Sequence, residues 1–240
     1  MPIHLPRGAL RRLAVIALFL GSLGGAAGRA QAVDAPDTRR PFDILVDGVL
    51  VGHQMLTFRH VGKDLVVQNE IEFIAPNVVR NLTDRTLELL HVERRLSEHY
   101  ALSSREVWRN GALAELTTEV DHYGEPVEVD LGAGPQGAVV AGTAGRFAAP
   151  PGLVPSSLWQ IEMTKQSAVL DLNSGRVLNV RFSEGAETPL SFGAHDDMPA
   201  RRVAATGELT RDLWYGGDGL LLRQQYVDKF GQLIVIRYAP

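Results

Sequence analysis

The chain has 240 residues with 24 Lys and Arg, 28 Asp and Glu, and no cysteine, which gives a formal net charge of −4 at pH 7. A chain without cysteine forms neither disulfides nor thiolate metal sites, so its stability must come from ordinary burial of apolar side chains. An acidic chain also lacks the clustered Lys and Arg that bind nucleic acids and anionic membrane surfaces, which excludes both as partners.

The first 32 residues have the pattern of an export signal. Three arginines precede an uninterrupted apolar run at 13–20, and Ala30-Gln31-Ala32 matches the small-x-small motif of signal peptidase. The apolar run is too short to cross about 30 Å of hydrocarbon. We therefore expect a signal peptide at 1–32, cleavage after Ala32, and a periplasmic protein without a transmembrane segment. Cleavage removes four arginines and no acid, which leaves 208 residues and a net charge of −8.

A disordered leader is expected at 33–41, because this stretch is polar and contains prolines. No repeat, low-complexity tract or linker divides the rest, so 42–240 is predicted to be a single β domain of ordinary size. Its first two strands are predicted at 42–48 and 51–58, with Asp47-Gly48 as the turn between them.

The strand predicted at 64–75 has the clearest alternation. One face carries three apolar side chains and one asparagine, namely Val67, Asn69, Ile71 and Phe73, and the other face is polar. This pattern is typical of a half-buried strand with one side in water.

Residues 77–99 leave the type of secondary structure open. Their leucines and charged residues fit a helix, and they fit equally well a long strand that pairs with its neighbour. The pattern of the flanking strands favours a strand from about Thr86.

Two hairpins are predicted after this stretch. Strands at 101–108 and 112–122 are joined by Asn110-Gly111, the strongest hairpin signal in the chain. Tyr123-Gly124 forms the next turn, before a strand at 126–131.

The middle of the chain is rich in glycine, alanine and proline. A flexible connection is expected at 132–145 with a short strand around 138–141, followed by an extended, proline-stiffened segment at 147–155. Ser156 is predicted to cap a single helical turn that carries Trp159 inward.

The C-terminal part again predicts strands. A hairpin is expected at 169–182 around Asn173-Ser174-Gly175, and a loop at 195–199. The run 207–240 contains three short strands joined by two glycine turns, which is the pattern of an antiparallel meander.

The predicted fold class is all-β, a single long antiparallel meander of about ten to fourteen strands. Strong curvature is expected to give a half-barrel or a nearly closed barrel. In the closing strands Leu213 and Tyr215 fall on one face and Trp214 on the other. A flat sheet over one core would leave Trp214 or Tyr215 in water, so either side chain reports on the curvature.

Several short motifs follow one another in a specific order. They are Asp47-Gly48 with Val51-Gly52, Glu106-Val107-Trp108-Arg109-Asn110-Gly111, Ala144-Gly145-Arg146-Phe147, Pro155-Ser156-Ser157-Leu158-Trp159, Asn173-Ser174-Gly175-Arg176, and Leu213-Trp214-Tyr215 with Asp218-Gly219. In this order they resemble an uncharacterised family of exported proteobacterial β-proteins, the domain of unknown function 6134 family. The resemblance covers nearly the whole mature chain except 77–99. It implies a curved antiparallel β-fold outside the cytoplasm and no catalytic residue.

Metal and catalytic motifs are weak in this sequence. No pair of histidines has the short spacing of a helical zinc site, and His195-Asp196-Asp197 is expected to be a solvated loop. The Gly-x-Ser-x-Gly nucleophile elbow is absent. Glu70 and Glu72 share a strand face, which permits a two-carboxylate glycosidase but favours a solvated outer face. We expect no catalytic residue, no metal and no cofactor.

Four aromatic residues are the candidate ligand-binding residues: Trp108, Trp159, Trp214 and Tyr215. Large aromatic side chains inside a curled sheet line a ligand cavity or fill an ordinary core, and the sequence leaves both open.

The leading function hypothesis is a non-enzymatic periplasmic protein that holds an apolar or amphipathic ligand, such as a lipid, in the curved sheet. The alternative is a structural or interaction protein that docks on an envelope partner. An envelope enzyme is the third hypothesis, and it requires distant titratable groups such as His99, Glu106 and His122 to converge.

Overall fold

Alternating apolar residues give fifteen β-strands in the computed structural model, which describes residues 35–74, 99–135, 137–192, 195–229 and 231–240. The strands are β1 Thr38–Val46, β2 Val49–Val61, β3 Asp64–Ile74, β4 His99–Arg109, β5 Ala112–His122, β6 Glu125–Gly134, β7 Gly137–Gly142, β8 Gly145–Ala148, β9 Val154–Pro155, β10 Ala168–Leu170, β11 Val177–Phe192, β12 His195–Gly207, β13 Arg211–Tyr215, β14 Leu221–Val227 and β15 Leu233–Tyr238. A 3-10 helix, Ile161–Lys165, lies between β9 and β10. Within the described residues, no helix has the length and apolar character needed to cross a membrane.

All fifteen strands belong to one sheet. Its order is β8-β7-β6-β5-β4-β3-β2-β1-β15-β14-β13-β12-β11-β10-β9. Neighbouring strands are antiparallel, except that β9 and β10 run parallel. The first and last strands pair near the centre of this order, with Phe42 opposite Tyr238. The predicted all-β meander is therefore confirmed, with slightly more strands than expected.

The sheet curls until its two edges approach each other, but strand pairing does not close it. The β7–β8 turn meets the β10–β11 turn, where Ala144 N and Thr143 Oγ1 donate to the carbonyl oxygen of Ser174 at 3.3 and 2.8 Å. The edge strands β8 and β9 are joined by residues 149–153. This geometry agrees with the predicted half-barrel.

The segment after β9 crosses the inner face and fills part of it. Leu158, Trp159 and Met163 are at most 1% exposed. The backbone anchors them to the β13–β14 turn, since Leu221 N donates to Trp159 O and Ile161 N donates to Gly219 O, each at 2.9 Å. One end of the curled sheet is consequently packed with this segment.

The predicted hairpin turns are confirmed. Asn110 and Gly111 have φ values of 52° and 74°, and Tyr123 and Gly124 have 59° and 88°. Two consecutive positive φ values define the type I′ turn, whose twist matches that of the flanking strands.

Two segments that were predicted to lack regular structure form strands instead. Thr38–Pro41, predicted as part of the disordered leader, belong to β1 because they pair with Met55–Phe58. The stretch predicted as a flexible connection at 132–145 is mostly strand, because β7 pairs with β6 along its length and buries Val140. The predicted export signal and the uncertain stretch 77–99, apart from His99, lie outside the described residues.

Two more differences concern capping and a loop. Ser156 does not cap a helix, since the helical turn begins at Ile161 and Ser156 Oγ accepts from Leu172 N at 3.2 Å. The loop predicted at 195–199 is part of β12, where pairing with β11 outweighs the local preference for a loop.

Candidate functional site

Three of the four predicted ligand-binding residues lie together on the inner face. Trp108, Trp159 and Tyr215 belong to one core cluster and are at most 2% exposed. The rings of Trp108 and Trp159 meet edge to face with centroids 5.6 Å apart. Tyr215 donates its hydroxyl to the carbonyl oxygen of Leu158 at 2.9 Å, and burial raises the pKa of that hydroxyl. These side chains fill the core, and their contact with a ligand stays a prediction.

The fourth residue, Trp214, lies on the outer face. The guanidinium carbons of Arg202 and Arg223 stand 6.0 and 5.1 Å from the centroid of its ring, which is cation–π distance. It belongs to a small outer cluster with Leu190, Ala200 and Leu222. Tyr215 therefore faces the interior of the curled sheet, and the structure does not bring Trp214 to the other three.

One buried carboxylate connects the two inner tryptophans. Glu106 is 0% exposed, and its Oε2 accepts from Nε1 of Trp108 at 2.8 Å and from Nε1 of Trp159 at 2.7 Å. Its Oε1 accepts from Ser157 Oγ at 2.7 Å. Burial raises the pKa of Glu106, and the three donors partly oppose that rise. Because both oxygens are engaged, Glu106 positions the tryptophans and presents no open reactive group.

The residues of the enzyme hypothesis do not converge. His99 Nε2 lies 2.9 Å from Glu72 Oε1 on the outer face, whereas Glu106 is in the core. The ring of His122 packs edge to face on Tyr100, with centroids 6.0 Å apart. Among the described residues, no group of three His, Asp or Glu side chains could hold a metal ion.

A second inner site lies where β13 and β14 face β4. Arg211 on β13 donates from Nη1 to Oε1 of Gln224 at 2.8 Å and to the carbonyl oxygen of Ser156 at 3.4 Å. Its guanidinium carbon lies 5.2 Å from the centroid of the Tyr226 ring. These contacts fix the orientation of the guanidinium. In the described part of the chain, no carboxylate comes within ion-pair distance of Arg211.

Two more tyrosines complete this site. Tyr100 on β4 and Tyr123 in the β5–β6 turn have ring centroids 6.2 Å apart, and Tyr100 donates to Asn173 Oδ1 at 2.6 Å. The pKa of each is raised by burial and by the nearby Tyr226 phenol. We call Arg211, Tyr226, Tyr100 and Tyr123 the Arg211 cluster. Its members come from distant parts of the chain.

The Arg211 cluster contains hydrogen-bond donors without acceptors. Nε of Arg211 is buried without a partner. The hydroxyls of Tyr226 and Tyr123 form no hydrogen bond with the described residues. Burial raises the pKa of Tyr226, so its hydroxyl stays a donor at neutral pH. Burial also lowers the pKa of Arg211, but an arginine keeps its charge at neutral pH.

The inner face beside the Arg211 cluster is apolar and only partly covered. Its half-buried side chains are Ile71, Phe73, Tyr123, Tyr226 and Ile234. Phe73 stacks on Tyr100 with ring centroids 4.7 Å apart, and Tyr226 on β14 stands directly opposite Ile234 on the neighbouring strand β15. Solvent therefore reaches an aromatic inner surface at the end of the sheet away from Trp159.

The outer face of β1 to β6 carries a groove of about 920 Å³. Two rows of directly paired positions line it. The first row is Asp43, His53, Glu72, Ala101, Asp121 and Pro126, and the second is Pro41, Met55, Glu70, Ser103, Glu119 and Glu128. Six of the nineteen described residues that line the groove are carboxylates, and a single histidine is the only basic side chain among them, so the groove is acidic.

The acidic groove is only partly neutralised. Asp43 lies 3.4 Å from Arg237 Nη2 and 3.5 Å from His53 Nδ1. Glu70, Glu119 and Glu128 form no ion pair with the described residues. Glu119 stands directly opposite Glu128 on the neighbouring strand. The carboxylates Glu70 and Glu72, considered above as a glycosidase pair, belong to this groove.

A model of the family described as Domain of unknown function (DUF6134) matches residues 96–239. The chain belongs to this family. It is also similar to the crystal structure of a β-barrel-like protein of domain of unknown function DUF1849 from Brucella abortus. The two share 8% sequence identity with a TM-score of 0.51, over 84% of this chain and 94% of that chain. A likeness at this identity shows the fold alone. No curated protein matches the sequence.

Membership of the DUF6134 family assigns no binding residue, so the Arg211 cluster has to be judged from its own geometry. Sequence reasoning missed it, although one signal was present. Alternation along β13 places Arg211 on the same face as Leu213 and Tyr215, hence on the inner face of the sheet. A charged residue at an inward position is unusual and marks a candidate site.

Proposed function

We propose that this chain is an exported, non-enzymatic binding protein that holds an apolar or amphipathic ligand against the inner face of its curved sheet. The observation that carries the proposal is the half-buried aromatic surface of Phe73, Tyr123 and Tyr226. Inner-face side chains of this kind are normally covered, and apolar surface open to solvent favours binding of an apolar molecule.

Two features of the molecule support a binding role. Both oxygens of Glu106 are engaged by donors, so the buried carboxylate serves the architecture. His99 and His122 lie apart from it, on the outer face and beside Tyr100. The inner surface therefore offers a ligand apolar contact area, and Glu106, His99 and His122 do not come together on it for acid–base chemistry.

The test is titration of the purified protein with dodecanol and dodecanoate, followed by tyrosine and tryptophan fluorescence and by native mass spectrometry. We expect one molecule bound per chain. Phe73→Ser should weaken binding, because Phe73 contributes inner apolar surface. The matched control is Ile74→Ser, since Ile74 is the next residue on the outer face and is 59% exposed.

Two results would count against the proposal. One is a protein that binds neither compound and is empty in native mass spectra after gentle isolation from the envelope. The other is equal weakening by Phe73→Ser and Ile74→Ser, which would mean that the inner face is not the binding surface.

A second candidate function is docking of a cationic envelope partner on the outer acidic groove. The observation that favours it is that Glu70, Glu119 and Glu128, in a groove of about 920 Å³, form no ion pair with any residue that the structure describes. Electrostatic complementarity would attract a partner rich in Lys and Arg.

A decalysine peptide tests this second function. Wild-type protein should bind it at low salt, and Glu119→Gln with Glu128→Gln should weaken binding. Glu184→Gln is the control, because Glu184 is exposed outside the groove. If each substitution in the groove weakens binding no more than Glu184→Gln does, the interaction depends on net charge alone and the groove is not the docking site.

A further inference from the structure

We propose that the ligand of the inner face ends in an anionic oxygen group, a carboxylate or a phosphate, and that Arg211 and Tyr226 bind this group. This inference rests on the proposed function, because it names the polar end of the same ligand. The shared chemistry is an apolar chain with a negatively charged head.

The guanidinium of Arg211 has a fixed orientation and keeps donors that an anionic group could use. Oε1 of Gln224 and the carbonyl oxygen of Ser156 both accept from Nη1, at 2.8 and 3.4 Å, and the guanidinium carbon lies over the ring of Tyr226, 5.2 Å from its centroid. Nη2 donates no hydrogen bond to the described residues, and Nε is buried without an acceptor. A guanidinium offers neighbouring donors in a fork that matches carboxylate and phosphate oxygens. Nε and Nη2 are the donors of Arg211 that a ligand would use.

Tyrosine hydroxyls add neutral donors beside the charge. Tyr226 and Tyr123 each carry a hydroxyl without an acceptor among the described residues. The hydroxyl of Tyr100 is different, because it is already committed to Asn173 at 2.6 Å. Arg211 supplies donors only, and each of the two hydroxyls can add one more donor. An anionic group, which accepts hydrogen bonds and carries the opposite charge to Arg211, is the ligand chemistry that uses all of them.

Two aspartates lie near the Arg211 cluster, and both are engaged by their own turns. Asp171 Oδ1 accepts from Asn173 N at 3.1 Å, and its Oδ2 accepts from Ser174 Oγ at 2.6 Å. Asp228 Oδ1 accepts from Gln232 N at 2.9 Å. Asp171 acts on Arg211 from beyond ion-pair distance. These acids weaken the positive field at Arg211 but do not neutralise it by contact.

The apolar surface continues directly from the charged group. Tyr226 contacts Arg211 with one face and pairs with Ile234 on β15. Tyr226 also lies near Tyr100, which stacks on Phe73. An alkyl chain whose head binds Arg211 would therefore lie along the half-buried apolar residues.

Three compounds with the same chain test the inference on the full chain: dodecanol, dodecanoate and dodecyl phosphate. Arg211→Met should weaken binding of the carboxylate or the phosphate by about tenfold or more, since hydrogen bonds to charged groups are strong. Binding of dodecanol should change little. Tyr226→Phe keeps the ring and should weaken binding of the anion by about threefold or more. The control is Arg202→Gln, because Arg202 also lies over an aromatic ring but on the outer face.

The outcomes separate the two proposals. Loss of anion binding in both inner variants, with dodecanol binding unchanged, supports binding of an anionic group by Arg211 and Tyr226. Which of the two anions is more affected tells a carboxylate ligand from a phosphate. If the wild-type protein binds dodecanol and both anions equally well, and Tyr226→Phe does not change this binding, the proposed anionic group is refuted while the proposed binding function stands. Binding of none of the three overturns both. If Arg211→Met fails to fold, the Tyr226→Phe result alone decides.

Discussion

The indole Nε1 of Trp159 donates to Oε2 of Glu106 at 2.7 Å, although 53 positions separate the two residues in the sequence. Glu106 belongs to β4, and Trp159 belongs to the segment that crosses the inner face after β9. The hydrogen bond therefore links that segment, which follows β9 at one edge of the sheet, to β4 in the other half of the strand order. It depends on a carboxylate that is fully buried.

The first prediction concerns Glu106→Gln. A glutamine can accept from both tryptophans through Oε1 and donate to Ser157 Oγ through Nε2, so the three bonds survive. Burial raises the pKa of Glu106 above 4.5, so its contribution to stability is complete below pH 4.5 and is lost as the pH rises through the raised pKa. Glutamine does not titrate. The glutamine variant should therefore gain stability relative to wild type as the pH rises.

Urea unfolding at pH 5, 7 and 8.5 measures this difference. Glu115→Gln is the control, since Glu115 is exposed and paired with Arg109 at 3.5 Å. If the free energy of unfolding of Glu106→Gln minus that of wild type falls as the pH rises, the raised pKa is contradicted.

The second prediction concerns Tyr215→Phe. The Tyr215 hydroxyl donates to the carbonyl of Leu158 at 2.9 Å in the core, so removing it leaves a buried carbonyl without a donor. The free energy of unfolding should fall by about 1 to 2 kcal/mol. Tyr226→Phe is the matched control and should change stability by less than about 0.5 kcal/mol, because its hydroxyl has no acceptor among the described residues. Equal effects in urea unfolding would refute the assignment.

The third prediction concerns Gly52→Ala on β2. A Cβ at Gly52 would clash with the carbonyl oxygen of Glu72 and with Cβ of Phe73 on β3. Relief of that clash requires movement of the backbone, so the variant should lose about 3 kcal/mol or fail to fold. Gly132→Ala is the control, because no atom lies within 4 Å of a Cβ built there. Its thermal midpoint should stay the same or rise slightly, and a comparable loss at both positions would show that the close contact at Gly52 is not the cause.

The fourth prediction concerns the facing acids Glu119 and Glu128. Like charges directly opposite on antiparallel strands destabilise a sheet. Glu128→Gln should raise stability by less than about 1 kcal/mol at low salt, and the gain should shrink at high salt because salt screens exposed charges. A double-mutant cycle with Glu119→Gln measures the coupling. A gain that is independent of salt and of Glu119 would argue against repulsion.

Local sequence signals predicted the strands and hairpins well. The alternation of Val67, Asn69, Ile71 and Phe73 is a property of consecutive residues, and the inner face of β3 follows it. The Asn110-Gly111 turn likewise depends on two adjacent residues with positive φ. Such features need no knowledge of distant partners.

The candidate site could not be predicted in the same way. Alternation puts Arg211 on the inner face, but only the curvature and stagger of the sheet decide that it lies near Tyr226 and Tyr100. The contact between Glu106 and Ser157 has the same origin. The parallel pairing of β9 with β10 is also non-local, because the two-residue strand Val154–Pro155 has no alternation to detect.

The strand order has a consequence for folding kinetics. Apart from β1 with β15, every pairing joins strands that are consecutive along the chain. The β1–β15 seam brings together Asp43 and Arg237, which are 194 positions apart, and closing so long a loop is entropically costly and slow. Two halves of the sheet can therefore form separately, with their docking at this seam as the late, rate-limiting step. A circular permutant that links the ends of β15 and β1 and opens the chain at 149–153 would make every pairing local and would fold faster.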